Sequence, residues 1–284
     1  MLTDTHAHLD FPEFEQDLQE VLARAAAAGV TRIITIGTSI ESSQRAVALA
    51  EQHPNVFAAI GVHPNSAGEV ESDFIVKLRE LAENPRVVAI GETGLDYHRL
   101  PSRSMHQAAV ATAALGNETQ ADLEAAVADG VVKKTQAEVF ERQLDLAAEL
   151  GLNVILHERD AWPDTVEILR PYAGRVRGVF HCWGKSIGPA QEALAVGHLV
   201  SFTGIVTFKN APHVQDSAAQ LPSGSFMVET DCPFLAPVPH RGKRCEPAYT
   251  REVAAKIAEL RGVSLEQIAA ETTAAADGFF RFAQ

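Results

Sequence analysis

The chain of 284 residues is short of cations, with 24 Lys and Arg against 37 Asp and Glu and a formal net charge of −13. That balance excludes long-range attraction to a polyanion. Any polyanionic substrate has to be met by locally placed cations or by bound metal. Cysteine is also scarce. Cys182, Cys232 and Cys245 are odd in number and lack paired spacing, which argues against a secreted disulfide framework and for a reducing compartment. No run approaches the roughly 20 apolar residues that span a bilayer, and neither a basic n-region nor an apolar h-region opens the chain. A cytoplasmic protein without membrane contact is expected. Low-complexity stretches are lacking as well, and 46% hydrophobic with 21% charged residues is an ordinary globular composition, long enough for one large core.

What is present is a rhythm. Short β-rich segments, LTDTH from Leu2, RIITIG from Arg32, VFAAIGVH from Val56, VVAIGE from Val87, NVILH from Asn153, GVFHC from Gly178, HLVSFTG from His198 and FMVET from Phe226, are each followed by helical spacing. Continuous apolar runs of this kind suit parallel strands covered on both faces. Gln16 to Ala28 carries Leu18, Val21, Leu22 and Ala25 on one helical face, and Gln136 to Leu150 carries Phe140, Leu144 and Ala147. Ser264 followed by Gln267 fits a capping box opening a last helix. Eight strand-then-helix units predict an α/β (β/α)8 TIM barrel over residues 1–284, with a doubly wound open sheet as the main competitor. The Ala-rich stretch from about Ser104 to Lys134 breaks the rhythm and is expected to be one or two inserted helices after the fourth strand.

Side chains two apart in a strand project to one side, so His6 and His8 converge at the end of the first strand. The pair alone is weak. The other strands decide, because the fourth ends in Glu92, the fifth in His157, the sixth in His181 and the eighth in Asp231. Imidazole and carboxylate are ligands of hydrolytic metal sites, and in a barrel all these ends meet at one rim. Six ligands exceed the need of one tetrahedral ion, so two divalent ions bridged by Glu92 are expected. His63, in GVHPN, ends the third strand at second-shell or substrate distance. His53, His106, His198 and His213 fall away from the strand ends and are expected at the surface. Cys182 and Cys232 follow proposed ligands and by alternation point away from them, as packed thiols.

With these positions in place the sequence resembles the TatD family of metal-dependent deoxyribonucleases, a branch of the amidohydrolase-like barrels. The matching stretches are DTHAHLDFPEF, IGVHPN, IGETGLDY, VILHERDAW, VFHCWG, SFTGIVTFKNA and VETDCPFLAPVPHRGKRCEPAY, nearly the whole chain outside the insert. The resemblance implies that His6, His8, Glu92 and Asp231 hold one metal and Glu92, His157 and His181 the second. It further implies that Arg159, Lys209 and Arg241 lie beside them to grip phosphate. The chain departs from the family's pattern at Thr93, where EIGLDY is usual, and at Ala275, where an Asn is common. It also departs after the aromatic in FHCWGK.

The resulting expectation is a metal-dependent phosphodiesterase, a 3'-5' exonuclease on DNA, single-stranded or at 3' ends, with Asp231 and Glu92 catalytic and His63, Arg159, Lys209 and Arg241 contacting substrate. Mg, Mn or Zn are the candidate ions, and no obligate protein partner is implied. The rival is an amide or ester hydrolase of the same superfamily, such as an aminoacyl-tRNA deacylase or lactonase, because the same chemistry attacks a carbonyl carbon.

Overall fold

A computed structural model of the chain describes residues 1–103 and 120–282, the side chains of 120–122 excepted. Eight parallel strands pair in sequence order in one sheet. They are β1 (Leu2–Ala7), β2 (Val30–Ile36), β3 (Val56–Ile60), β4 (Val87–Asp96), β5 (Val154–Arg159), β6 (Gly178–Phe180), β7 (Leu199–Phe202) and β8 (Phe226–Val228). The sheet curls into a barrel that closes beyond β8. There Asp231 N donates to His6 O (2.9 Å) and His8 N to Cys232 O (2.9 Å). The expected TIM barrel is therefore the fold.

Alternation along the strands sorts the apolar residues into two layers. Ile33, Val56, Val154, Phe180, Val200 and Phe226 pack outward against the helices. Ile34, Ile155, Val179, Leu199 and Met227 fill the barrel, and Phe279 and Phe280 near the C-terminus join that inner cluster. The helices include α1 (Leu18–Ala27), α2 (Ile40–Gln52), α3 (Phe74–Leu81), α4 (Gln120–Leu150), α5 (Trp162–Leu169), α6 (Ile187–Ala195), α7 (Pro212–Gln220), α8 (Thr250–Arg261) and α9 (Leu265–Asp277). None among the described residues is long and apolar enough to cross a membrane. Ser264 caps α9 by accepting from Gln267 N, although the Gln267 side chain turns to Glu271 instead of closing the box.

The helical insertion expected after the fourth strand fits: residues 120–134 are helical, as the first half of the 31-residue α4, and 104–119, with His106, lie outside the described residues. Two expectations need correction. β4 runs on to Asp96, so Glu92 sits within a strand, whereas β6 and β8 stop before His181 and Asp231. His198 is buried, its Nδ1 accepting from Gly178 N at 2.9 Å. That bond needs the neutral ring, and burial followed by the charge of Arg177 brings its pKa down to about 4.

Helix α4 reaches the rim through two buried amides seven residues apart, on one face. Gln143 Oε1 accepts from Val62 N (2.8 Å), while its Nε2 donates to Val62 O (3.1 Å) and to Thr93 Oγ1 (2.7 Å). Gln136 brackets Asp96, accepting from its N (3.0 Å) and donating to its O (3.2 Å). The Thr that departs from the family pattern thus has a partner. Gln143→Leu should cost on the order of 3 kcal/mol, since it strands several buried polar groups. Urea unfolding of the two proteins measures the difference, and a loss below about 0.5 kcal/mol would contradict this bracing role.

Candidate metal centre

The same alternation that builds the inner layer carries past the apolar residues to the rim. Two residues beyond Ile155 stands His157, two beyond Val179 stands His181, and Met227 is followed at the same interval by Glu229 and Asp231. From β1 come His6 and His8, and from β4 comes Glu92. Gly94, paired with His157, has φ 138°, and a Cβ there would collide with the His157 carbonyl oxygen. A side chain at this position would push β4 from β5 where Glu92 meets His157.

Glu92 is at the centre, 3% exposed, with its two oxygens facing different groups. Oε1 lies 2.8 Å from His157 Nδ1 and 2.8 Å from His181 Nε2. Oε2 lies 3.5 Å from His6 Nε2 and 3.8 Å from His8 Nε2. Asp231 Oδ1 closes the second group at 3.7 Å from His6 Nε2 and 3.5 Å from His8 Nε2. All six expected ligands are therefore brought together.

The spacing within each group tests whether a metal fits. His6 Nε2 and His8 Nε2 are 3.3 Å apart, and His157 Nδ1 and His181 Nε2 3.2 Å apart. Two imidazole lone pairs at that distance repel unless they share a proton or a cation. The nitrogen-to-nitrogen edge of a tetrahedron with metal–nitrogen bonds near 2.0–2.1 Å is about 3.3 Å. The donor set fits divalent ions.

Groups behind the outer nitrogens were missed by sequence reasoning. His8 Nδ1 is 3.2 Å from Ile36 O in a hydrogen bond, while His157 Nε2 faces Asp96 Oδ2 at 3.3 Å and His181 Nδ1 faces Glu229 Oε1 at 3.6 Å as ion pairs only, and His6 Nδ1 has no hydrogen-bond partner among the described residues. A proton held on that side leaves the inner nitrogen free to ligate. Asp4 ties the two ends of the barrel: Oδ1 accepts from Thr230 N (2.9 Å) and Oδ2 from Thr230 Oγ1 (2.6 Å). Burial, opposed by the bonds from Thr230, raises its pKa to about 7. The signal for Asp4 and Glu229 was available, since each stands two residues before a proposed ligand.

His63 differs from the four histidines of the ring. Its Nε2 lies 3.3 Å from His157 Nδ1 and 3.6 Å from Glu92 Oε1, close enough to join a potential ligand group. Yet its Nδ1 accepts from Asn65 N at 3.0 Å, which places the ring proton on Nε2 and makes His63 a donor toward the site. Burial, and to a lesser degree the charges of His157 and His181, outweigh Glu92 and lower its pKa to about 4.

Of the three expected cations, Arg159 lines the cavities on the ring. Lys209 is exposed in the turn before α7, and the Arg241 guanidinium stacks 3.7 Å from the Phe208 ring centroid. Arg99 and Lys185 also line the cavities and were not anticipated. Cys232 is packed as expected. Cys182 instead lines a cavity with φ 50°, because β6 ends at Phe180 and alternation no longer governs it. Burial and then Asp231 and Glu229 push its thiol pKa well up, so it stays protonated and is no nucleophile.

Imidazoles and carboxylates on the C-terminal rim of a (β/α)8 barrel, split around a shared glutamate, define a class, the metal-dependent barrel hydrolases. Comparison with known proteins identifies the family. The family model described as TatD related DNase matches residues 3–281. The uncharacterized metal-dependent hydrolase YabD of Bacillus subtilis is 39% identical over 99% of both chains. A protein of Enterobacter lignolyticus named 3'-5' ssDNA/RNA exonuclease TatD is 33% identical, with 95% of each chain covered. The crystal structure of YJJV, a TatD homolog from Escherichia coli, has a TM-score of 0.82 at 29% identity, covering 98% of this chain and 97% of that one. The chain belongs to the TatD family and is a metal-dependent hydrolase.

Within the ring, carboxylates and imidazoles shift one another's protonation. Burial resists charge on His181, but Glu92 and Glu229 outweigh it and raise its pKa well above the usual imidazole range. For Glu92 burial is again outweighed, here by the positive field of His181 and by bonds from His157 and His181, and its pKa falls well below the usual carboxylate range. If His181 takes a cation its proton must leave, so metal affinity should fall as pH falls. Calorimetric titration in buffers of different ionisation enthalpy should show at least one proton released per protein at pH 7; no release would refute the assignment.

Proposed function

We propose that the whole chain serves as one hydrolase barrel that cleaves phosphodiester bonds, as a cytoplasmic 3'-5' exonuclease on DNA. The observation that carries this reading is Arg159, which lines both cavities beside the ring. A planar guanidinium there suits paired phosphate oxygens, for which a carbonyl substrate has less use. The exonuclease name of the 33%-identical relative points the same way.

His6, His8, Glu92 and Asp231 would hold one divalent ion, and Glu92, His157 and His181 a second. When bound, the pair supplies Lewis-acid polarisation of a phosphoryl oxygen and acidifies water. The protein's own groups then handle protons and position. Burial opposes charge on Asp231, yet the bond from His8 and the fields of His6, His181 and His8 keep it ionised. It can therefore accept a proton from the attacking water. His63, neutral with its proton on Nε2, donates to substrate or to the departing oxygen. Asp96 and Glu229 hold the His157 and His181 rings in orientation.

Protein stripped of metal and reloaded should shorten end-labelled single-stranded oligonucleotides from the 3' end and leave an aryl ester largely intact. Cleavage of the ester alone would overturn the nuclease reading. Glu92→Ala should abolish metal-dependent cleavage while keeping a cooperative melt, and wild-type activity in that variant would remove the bridging role. Arg159→Ala should raise KM for the oligonucleotide roughly tenfold, the worth of a charge-assisted contact.

A further inference from the structure

The ring stands between two compartments. One, of about 440 Å³, is walled by Cys182, Trp183, Lys185, Ile205 and Leu235. The other, of about 380 Å³, is walled by Thr38, Asn65, Ser66 and Arg99 among others. His157, Arg159, His181, Asp231 and Phe234 line both. Four of these five are accounted for by the ring and its cation. Phe234 is not: it is apolar, 50% exposed, and stands at the junction.

Local structure fixes this ring close to the chemistry. Phe234 N donates to Asp231 O at 3.0 Å, so one tight turn carries both the carboxylate and the aromatic side chain. Phe11 meets Phe234 edge to face with centroids 6.1 Å apart, and is itself stacked on His8 at 4.7 Å. A half-exposed phenyl ring beside the site gains hydrophobic free energy when a ligand covers it.

The compartments differ in what they can take. In the first, Lys185 Nζ is tied to Glu158 at 2.9 Å, so its charge is matched, and Ile205, Leu235 and Phe234 offer apolar surface. In the second, amide, hydroxyl and guanidinium groups suit the oxygens of a sugar-phosphate backbone. We propose that Phe234 is the stacking platform for the terminal nucleobase. The compartment of Ile205 and Leu235 is then a subsite for one deoxynucleoside, with its 5'-phosphate at the ring and the remaining strand on the side of Asn65 and Arg99. Stacking on a phenyl face tolerates any base, as the removal of successive nucleotides requires. The inference rests on the nuclease reading above and adds to it where the single released nucleotide sits.

Calorimetry with metal-loaded protein, titrating deoxyadenosine 5'-monophosphate and, separately, inorganic phosphate, tests it. Phe234→Ala should weaken the nucleotide about tenfold and leave phosphate within twofold. Phe234→Trp should restore nucleotide binding, whereas Phe234→Leu, which keeps bulk without a π face, should behave like the Ala variant. Equal weakening of both ligands, or a nucleotide indifferent to Phe234, overturns the subsite. If the nucleotide depends on Phe234 but oligonucleotides stay uncut, the nuclease reading falls and the subsite stands. If oligonucleotides are cut and nucleotide binding ignores Phe234, the subsite falls and the nuclease reading stands.

Discussion

A single buried carboxylate organises this molecule. Glu92 presents one oxygen to His157 and His181 and the other to His6 and His8, and burial of an ionised group is tolerable only because positive charge surrounds it. Imidazole protons can supply that charge, and so can a bound cation.

Much of the remaining architecture keeps Glu92 and its partners in place. Gly94 lets β4 and β5 approach. Gln136 and Gln143 anchor the long helix α4 to the backbone at Asp96 and Val62, and Asp4 joins the start of the barrel to Thr230 beside Asp231. These are polar contacts in a dry setting, where an unmatched group is costly and a matched one sets geometry. The barrel's apolar layers provide the bulk of burial; these few groups set the direction of each ligand.

The electrostatic problem posed by a chain of net charge −13 is solved locally. Arg159 lies at the junction of the cavities, while Lys185 is matched by Glu158 and Arg241 is occupied by Phe208. The cations that face the cavities beside the ring are thus few, Arg159 and Arg99 among them, and the aromatic pair of Phe11 and Phe234 adds apolar surface beside them.

Strand order, the eightfold repeat and the six residues that the barrel gathers at its rim were legible in the amino-acid sequence, because the two-residue period of a strand and the chemistry of His, Asp and Glu are local properties. Alternation lost its force where strands ended early, at His181 and Cys182, and where β4 continued past Glu92 to Asp96. Which long-range partner each group takes could not be read. Asp96 behind His157, Glu229 behind His181 and Phe208 under Arg241 are pairings between residues distant in the chain. Sequence alone determined which atoms could bind metal and on which rim; tertiary structure alone decided which nitrogen of each imidazole faces inward and which cation reaches the cavity, because those are set by contacts across the closed barrel.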